Sequence, residues 1–446
     1  MINELAREAQ MEMDTPVGKQ VRHSTVGTVV FDDKKNPHLG GWASVAGAEP
    51  FRVSSHVGLD NKIMWVSNLD YQPFREFGLS AARNHRLSYY FYRTIEQVSA
   101  DLGVSIRLDP TSAPQAAQAT SRIFDRVLTL AETGYVHKTE YPFTGKTLTD
   151  DIRSACGILD SSNRGPDFLE SAFASAYQTD SFCATQNRQP DTSMIVLRRN
   201  RVHHFSKILD YMLPAEQNWK VLDLKSLPPG NDARLDFVLN TNHPVLAEIT
   251  IDTSQCRDEM VTLMAYGSQS GMRSKASLLR THATHPELLW LSKFCNVEIA
   301  SISIAKEYVR PRPSATMPTS VTLDPLNSLS YSAGLFAEIH FMAMAEATRR
   351  QHTNGNQIDK NISARNLWLR AYDRAEMFIY AKRAMEAGFV VSGYAMGALR
   401  LTTDHRELPR VMEFALENGF VYPIFQVLAS SIGYVFNDDT WMEPDE

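Results

Sequence analysis

The sequence lacks the features that mark several protein classes. Its 446 residues include only four cysteines, widely spaced and without a C-x-x-C pair, so neither a zinc knuckle nor a disulfide framework is indicated. No run approaches the roughly 18 to 20 apolar residues of a membrane span, so no membrane partner is expected. The 45 basic and 51 acidic residues nearly balance, which argues against a surface dominated by polyanion binding.

The N-terminal 14 residues carry five charged side chains and do not have the pattern of a secretory signal peptide. Together with the scarcity of cysteine, this favours a reducing compartment. We therefore expect a cytoplasmic protein or one that is carried in a virion.

The hydrophobic periodicity predicts a predominantly α fold with a mixed α/β (α+β) central region, divided into several subdomains. Helices are predicted over residues 114–132, 166–178, 364–386 and 409–417, where apolar side chains recur at helical spacing. Short β-prone runs are predicted as strands at 194–197, 221–224, 235–239, 245–251 and 297–304.

A stretch with three prolines gives the best boundary candidate because it has little to bury. The predicted organisation is an N-terminal arm (1–16), a mainly helical region (17–190), a central α/β region (191–308), a proline-rich connector (309–320) and a C-terminal helical domain (321–446).

Two adjacent β-prone runs suggest a metal-dependent enzyme. The segment Arg234–Leu239 followed by Pro244–Thr250 resembles the core of the PD-(D/E)xK nuclease family. The resemblance implies that Asp236 and Glu248 hold Mg²⁺, which would activate water for phosphodiester cleavage. Thr250 stands where the family has lysine, so a degenerate nuclease is also implied. The alternative is two ordinary strands whose acids face solvent.

A dense basic run, residues 198–204, offers the kind of positive charge that binds phosphates. A second basic group precedes a run of aromatic residues at 89–92, which could add a base-stacking surface. In the alternative interpretation these arginines make local ion pairs. The predicted nucleic-acid-binding residues are Arg83, Arg86, Arg198, Arg199, Arg201 and His203.

The segment Ser392–Gly397 resembles the S-Y-A-M-G segment of nucleoproteins of non-segmented negative-strand RNA viruses, with Gly393 as an additional residue. Those proteins polymerise on genomic RNA, which the resemblance implies for this chain. The alternative is a helix that packs closely through its small residues at 393, 395, 397 and 398.

Taken with the absence of an active-site motif, these features predict a non-enzymatic structural protein without catalytic residues, cofactor or metal. We expect it to assemble with copies of itself as a virus or phage capsid or nucleocapsid shell protein. RNA or DNA, bound without sequence preference, is a further expected partner. The alternatives are the nuclease that uses Asp236 and Glu248, and an adaptor subunit of a larger complex.

Overall fold

The computed structural model describes residues 25–60, 63–70, 73, 94–101, 106, 110–135, 166–177, 181–182, 192–252, 254, 280–309, 328–345 and 362–420. The strands are β1 (Val26–Phe31), β2 (Gly41–Val45), β3 (Phe51–Val53), β4 (Met64–Ser67), β5 (Ser181–Phe182), β6 (Thr192–Arg198), β7 (Leu213–Pro214), β8 (Trp219–Leu222), β9 (Val245–Asp252), β10 (His282–Thr284), β11 (Asn296–Ala305), β12 (Tyr308–Val309), β13 (Val390–Ala395) and β14 (Ala398–Asp404). The helices are α1 (Thr94–Asp101), α2 (Ala113–Tyr135), α3 (Glu170–Ala176), α4 (Arg201–Leu209), α5 (Asn231–Asn240), α6 (His285–Phe294), α7 (Ser328–Ala345), α8 (Ala364–Glu386) and α9 (Leu408–Glu417). The mixed α/β class is thereby confirmed, although strands are more extensive than a predominantly helical fold implies.

The first sheet lies in the region predicted to be mainly helical. Its strand order is β3-β2-β1-β4, with β1 antiparallel to β2 and parallel to β4. The central strand β1 is buried along its whole length. Its Val30 belongs to one apolar cluster with Phe124 of α2 and Phe336 of α7. The described part of the N-terminal region therefore contains a sheet covered by helices.

The second sheet has the order β10-β9-β11-β8 with antiparallel neighbours, and it confirms the strands predicted at 245–251 and 297–304. Along β9, Ala247 and Ile249 are buried whereas Glu248 and Thr250 are exposed. This alternation is expected of a strand with one face on the core and one in solvent.

The third sheet, of order β5-β13-β14-β6, joins distant parts of the chain. The small-residue helix, the alternative interpretation of Ser392–Gly397, is wrong because this segment belongs to the hairpin β13–β14. The C-terminal region is therefore not purely helical. Its two-residue turn places Met396 at φ 55° and Gly397 at φ 62°. Consecutive positive φ values are what a tight hairpin turn needs, and they exclude a helix here.

A buried carboxylate holds this turn. Asp373 of α8 accepts hydrogen bonds from the backbone amides of Met396 and Gly397 and from His204 Nε2 of α4, which lies 2.7 Å from Oδ1. The Asp373 side chain is fully buried. Burial alone raises the pKa of this carboxyl, but the hydrogen bonds from His204 and the two amides outweigh it and keep the pKa below its usual value.

The run predicted as a strand at 235–239 belongs to helix α5, so this prediction is wrong. A five-residue apolar run cannot distinguish a strand from a helix by periodicity. The surroundings decide the conformation: Asn231, in the first turn, exchanges hydrogen bonds with the backbone of β11, and Arg234 donates to the carbonyl oxygens of Pro228 and Ile299. Helix α5 therefore lies beside the N-terminal part of β11, where β11 does not pair with β8.

Helix α8 has the bounds predicted from its hydrophobic pattern. Ser363 caps its first turn by accepting a hydrogen bond from the Asn366 amide, and Glu216 accepts from the Ala364 amide at 2.7 Å. Its apolar side chains pack in two clusters, one of which contains core residues of both the second and the third sheets. Within the described ranges, no helix has the length and apolar character needed to cross a bilayer.

Candidate nucleic-acid interface

The predicted basic run covers the end of β6 and the start of α4. Arg198 is the last residue of β6, and Arg201 is the first of α4. Asn200 is the N-cap residue, and its Oδ1 accepts hydrogen bonds from the amides of Val202 at 3.1 Å and His203 at 3.3 Å. Asparagine is among the preferred N-cap residues. This abrupt change from strand to helix directs the basic side chains to different sides of the molecule.

Arg199 points towards the C-terminal end of α9. Its guanidinium donates to the carbonyl oxygens of Asn418 and of Gly419, the latter at 2.8 Å. Its Cζ lies 4.5 Å from the centroid of the Tyr380 ring and 5.7 Å from that of Phe420. Burial lowers the pKa of Arg199, and the nearby Arg383 adds to this effect. The guanidinium is still a cation at neutral pH.

A second guanidinium approaches the same ring. Arg383 of α8 is exposed, its Cζ lies 5.8 Å from the Tyr380 ring centroid, and its Nη1 donates to Asn418 Oδ1 at 3.1 Å. We call Arg199, Tyr380, Arg383 and Asn418 the Tyr380 cluster. Within the part of the chain that the structure describes, neither arginine forms an ion pair with a carboxylate. Two positive charges therefore face a polarisable ring without a direct ion pair to a carboxylate of the described residues.

The outer side of α4 adjoins this cluster. His203 and Lys207 are exposed on α4. Lys207 Nζ lies 2.8 Å from Glu376 Oε2, and Tyr211 donates to the other oxygen of the same carboxylate at 2.7 Å. Glu376 also acts electrostatically on Arg199, which places α4 next to the cluster. The lysine charge is balanced here, so the excess positive charge comes from the two arginines.

Two further predicted residues that the structure describes, Arg198 and Arg201, are not part of this surface. Arg201 is largely buried, with its Nε 3.0 Å from Glu338 Oε2 of α7 and its Cζ 5.0 Å from the Tyr331 ring centroid. Arg198 lies on the same face of β6 as Val196, and Leu197 and Arg199 lie on the opposite face. Arg83 and Arg86 lie outside the described residues.

Among the described members of the predicted set, Arg199 thus lies in the Tyr380 cluster, and His203 is exposed on α4, one turn before Lys207. The structure adds Arg383 and Tyr380, which sequence reasoning missed because nothing in the pattern of α8 links them to a segment so far away in the chain. In the alternative interpretation the arginines make local ion pairs; Arg201 does form an ion pair, but its partner Glu338 is far away in the sequence, on α7.

The predicted Mg²⁺ site is not formed. Asp236 lies on helix α5 and not on a strand, and its Oδ1 accepts from Asn240 Nδ2. Glu248 lies on the solvent face of β9 and accepts from Ser301 Oγ at 2.6 Å, whereas α5 packs through Val238 on the opposite, core face. The two carboxylates therefore cannot converge. In the described part of the chain, no group of three or more His, Cys, Asp or Glu side chains is arranged to hold a metal ion.

Comparison with known proteins gives only remote likenesses. No protein-family model matches the sequence, and no curated protein matches it. The similar solved structures include two complexes of phi29 DNA polymerase with primer-template DNA. The post-translocation binary complex has a TM-score of 0.43 and the ternary complex with incoming nucleotide has one of 0.40, both at 8% identity. Each match covers 85% of this chain and 80% of the polymerase chain. The complex of the same polymerase with single-stranded DNA has a TM-score of 0.36 at 9% identity, covering 69% of this chain and 58% of that chain.

These structures belong to a DNA polymerase and not to a shell protein. The prediction of a self-assembling virus or phage capsid or nucleocapsid protein is therefore wrong. At these TM-scores and identities, the likeness assigns neither an activity nor a ligand to this chain.

Proposed function

We propose that the chain binds nucleic acid without sequence preference through the Tyr380 cluster and the adjoining outer side of α4. The observation that carries the proposal is the approach of Arg199 and Arg383 to the same ring without a carboxylate partner among the described residues. Burial lowers the pKa of Arg199 and the nearby Arg383 lowers it further, so an anion bound between the two guanidinium groups would stabilise the charge of Arg199.

A phosphate backbone fits the chemistry of this surface. Arginine binds phosphate through paired N–H donors, and some donors of the exposed Arg383 remain available beyond its bond to Asn418. His203 extends the surface along α4. Nothing in this arrangement reads base edges, because backbone contacts carry no direct sequence information. The near-neutral composition of the chain implies that binding is weak, and contact with only a few phosphates implies a shallow dependence on salt.

The test is fluorescence anisotropy of a labelled single strand of about 20 nucleotides, titrated with the full chain between 50 and 300 mM NaCl. Each neutralised phosphate contributes about 0.7 to the slope of log K against log salt for single strands. Contact with both arginines therefore predicts a slope of about −1.4. Arg383→Gln should reduce the slope by about 0.7 and weaken binding severalfold at low salt.

Arg406→Gln is the matched control, because Arg406 is also exposed but lies at the start of a different helix, before α9. The control should bind like the unmodified chain. Equal isotherms for Arg383→Gln and the unmodified chain would refute the proposal. A duplex of the same sequence, titrated in parallel, distinguishes a preference for single strands from general binding to polyphosphate.

The other expected partner, a second copy of this chain, stays a prediction. Light scattering of the free chain across a concentration series measures it independently of nucleic acid.

A further inference from the structure

Helix α8 carries a buried stripe of polar side chains. Asn366, Arg370 and Asp373 follow one another at spacings of four and three residues, so they lie on one side of the helix. Asn366 is 8% exposed, Arg370 is 6% exposed and Asp373 is fully buried. The stripe faces α7, α4 and the turn of the β13–β14 hairpin, as the contacts of Arg370 and Asp373 show.

Arg370 is the unusual member of the stripe. Its Nη1 lies 3.0 Å from Met396 Sδ, its Nη2 lies 3.6 Å from Met342 Sδ, and its Cζ is 5.8 Å from the Phe341 ring centroid. Thioether sulfur is a weak acceptor. Arg370 Nε has no hydrogen-bond partner among the described residues, and no described carboxylate pairs with the guanidinium. The nearest acid on the helix, Asp373, is already engaged by His204 and the hairpin turn.

One turn earlier on α8, the stripe also contains an unsatisfied hydrogen-bond acceptor. Asn366 Oδ1 is a buried acceptor without a donor among the described residues, although the Asn366 amide is capped by Ser363. Leaving a buried polar group unsatisfied costs on the order of 1–3 kcal/mol, and more for a charged group. A cationic donor and a neutral acceptor, neighbours on one helix, therefore both lack a partner in the same buried region.

We propose that this region binds a small oxyanion that also carries a hydroxyl group, the simplest being monohydrogen phosphate. Its charged oxygens accept from Arg370 Nε and replace the missing counter-ion, and its hydroxyl donates to Asn366 Oδ1. Met396, which covers the guanidinium, is only half-buried at the hairpin turn. A single small ion can therefore enter past its side chain, whereas a nucleic-acid backbone is too large for a region buried to this degree.

The ligand's hydroxyl makes the proposal specific. Sulfate has the size and acceptor oxygens of phosphate, but at neutral pH it has no proton to donate to Asn366. Chloride offers charge alone. An ordered water could satisfy Asn366 but would leave the Arg370 charge unbalanced. The expected order of stabilisation is therefore phosphate, then sulfate, then chloride.

The experiment compares thermal unfolding of the full chain, prepared without phosphate, in phosphate, sulfate and chloride at equal ionic strength and pH 7.5. A phosphate concentration about tenfold above the dissociation constant should raise the Tm by roughly 1 to 2 °C, and sulfate should raise it less. Arg370→Met should abolish the phosphate-dependent rise. Because this change replaces an unpaired buried charge by an apolar side chain, the variant should be at least as stable without phosphate.

Arg406→Met removes an exposed charge and should keep the full effect of phosphate. The proposal is overturned if phosphate does not stabilise the unmodified chain, or if Arg370→Met retains the rise. Should Arg370→Met fail to fold, Asn366→Leu gives a second test. This variant should still respond to anions but lose the preference for phosphate over sulfate, and a retained preference would overturn the proposal as well.

Discussion

The contacts of Asp373 predict a large loss of stability on removal of its carboxylate. Asp373→Ala leaves the Met396 and Gly397 amides without their acceptor in a buried turn, and it removes the charge-assisted bond to His204. Unsatisfied buried donors cost about 1–3 kcal/mol each, and a hydrogen bond to a charged group contributes about 1.5–3 kcal/mol. Since these costs overlap, we expect a total loss of about 4 kcal/mol.

Asp373→Asn separates the effect of charge from that of shape. The Met396 and Gly397 amides bind different oxygens of Asp373, so asparagine keeps an acceptor for one of them and leaves the other unsatisfied. We therefore expect a loss of about 1–3 kcal/mol, smaller than that of Asp373→Ala. The pH dependence supplies an independent check. Because the pKa of Asp373 is lowered by folding, its contribution is complete above the unfolded value, about 3.9, and is lost as the pH falls through the folded pKa. The asparagine variant should lack this acid-dependent share.

The assay is urea unfolding followed by circular dichroism at pH 7, with the slope against urea compared between variants. Glu413→Ala is the control, because Glu413 is an exposed acid on α9 and should change the free energy of unfolding by less than about 0.5 kcal/mol. A loss below about 1 kcal/mol for Asp373→Ala would show that the turn does not depend on this carboxylate, and the reasoning from its hydrogen bonds would be wrong.

Further predictions concern buried charges elsewhere in the core. Arg374→Ala should cost about 3–5 kcal/mol in urea unfolding, because it removes the guanidinium whose Nη2 lies 2.7 Å from the buried Glu287 carboxylate; an effect near zero would contradict this. Burial lowers the pKa of His340 to about 4, so the fold loses stability as the pH falls from about 6.5 towards 4. His340→Asn should reduce this loss, measured as the free energy of unfolding across the same pH range. Burial raises the pKa of Glu216 to about 7, so the folded chain holds a proton that the unfolded chain releases, and stability falls as the pH rises from about 4.5 to 7. Glu216→Gln should remove this slope, and an unchanged slope would assign it to other groups.

The long amphipathic helices were predictable from the sequence because their signal is local. Helix α8 combines a serine cap with a hydrophobic pattern over its 23 residues, and both are visible without tertiary information. Helix α5 was missed because its five-residue apolar run fits a strand or a helix equally well. Hydrogen bonds between Asn231 and β11 favour the helix, and they are not visible in the sequence. The hairpin at Ser392–Gly397 was missed because the turn is held by Asp373, which precedes it on another element.

The candidate interface was only partly predictable for the same reason. Density of arginine in the sequence drew attention to Arg199, but density does not reveal which charges are neutralised. Glu338, which pairs with Arg201, and Arg383, which adds to the positive charge, both belong to distant helices. The positive charge of a surface depends on these tertiary partners, and a single sequence does not state them.

The pairing of β6 with β14 has a consequence for synthesis of the chain on the ribosome. Strand β6 is complete at Arg198, but β14 is not translated until Ala398–Asp404. At 5–20 residues per second, the earlier strand waits roughly 10 to 40 s for its neighbour. Such a delay exposes the apolar side of β6 in the nascent polypeptide, so chaperone binding during translation should concentrate on this interval.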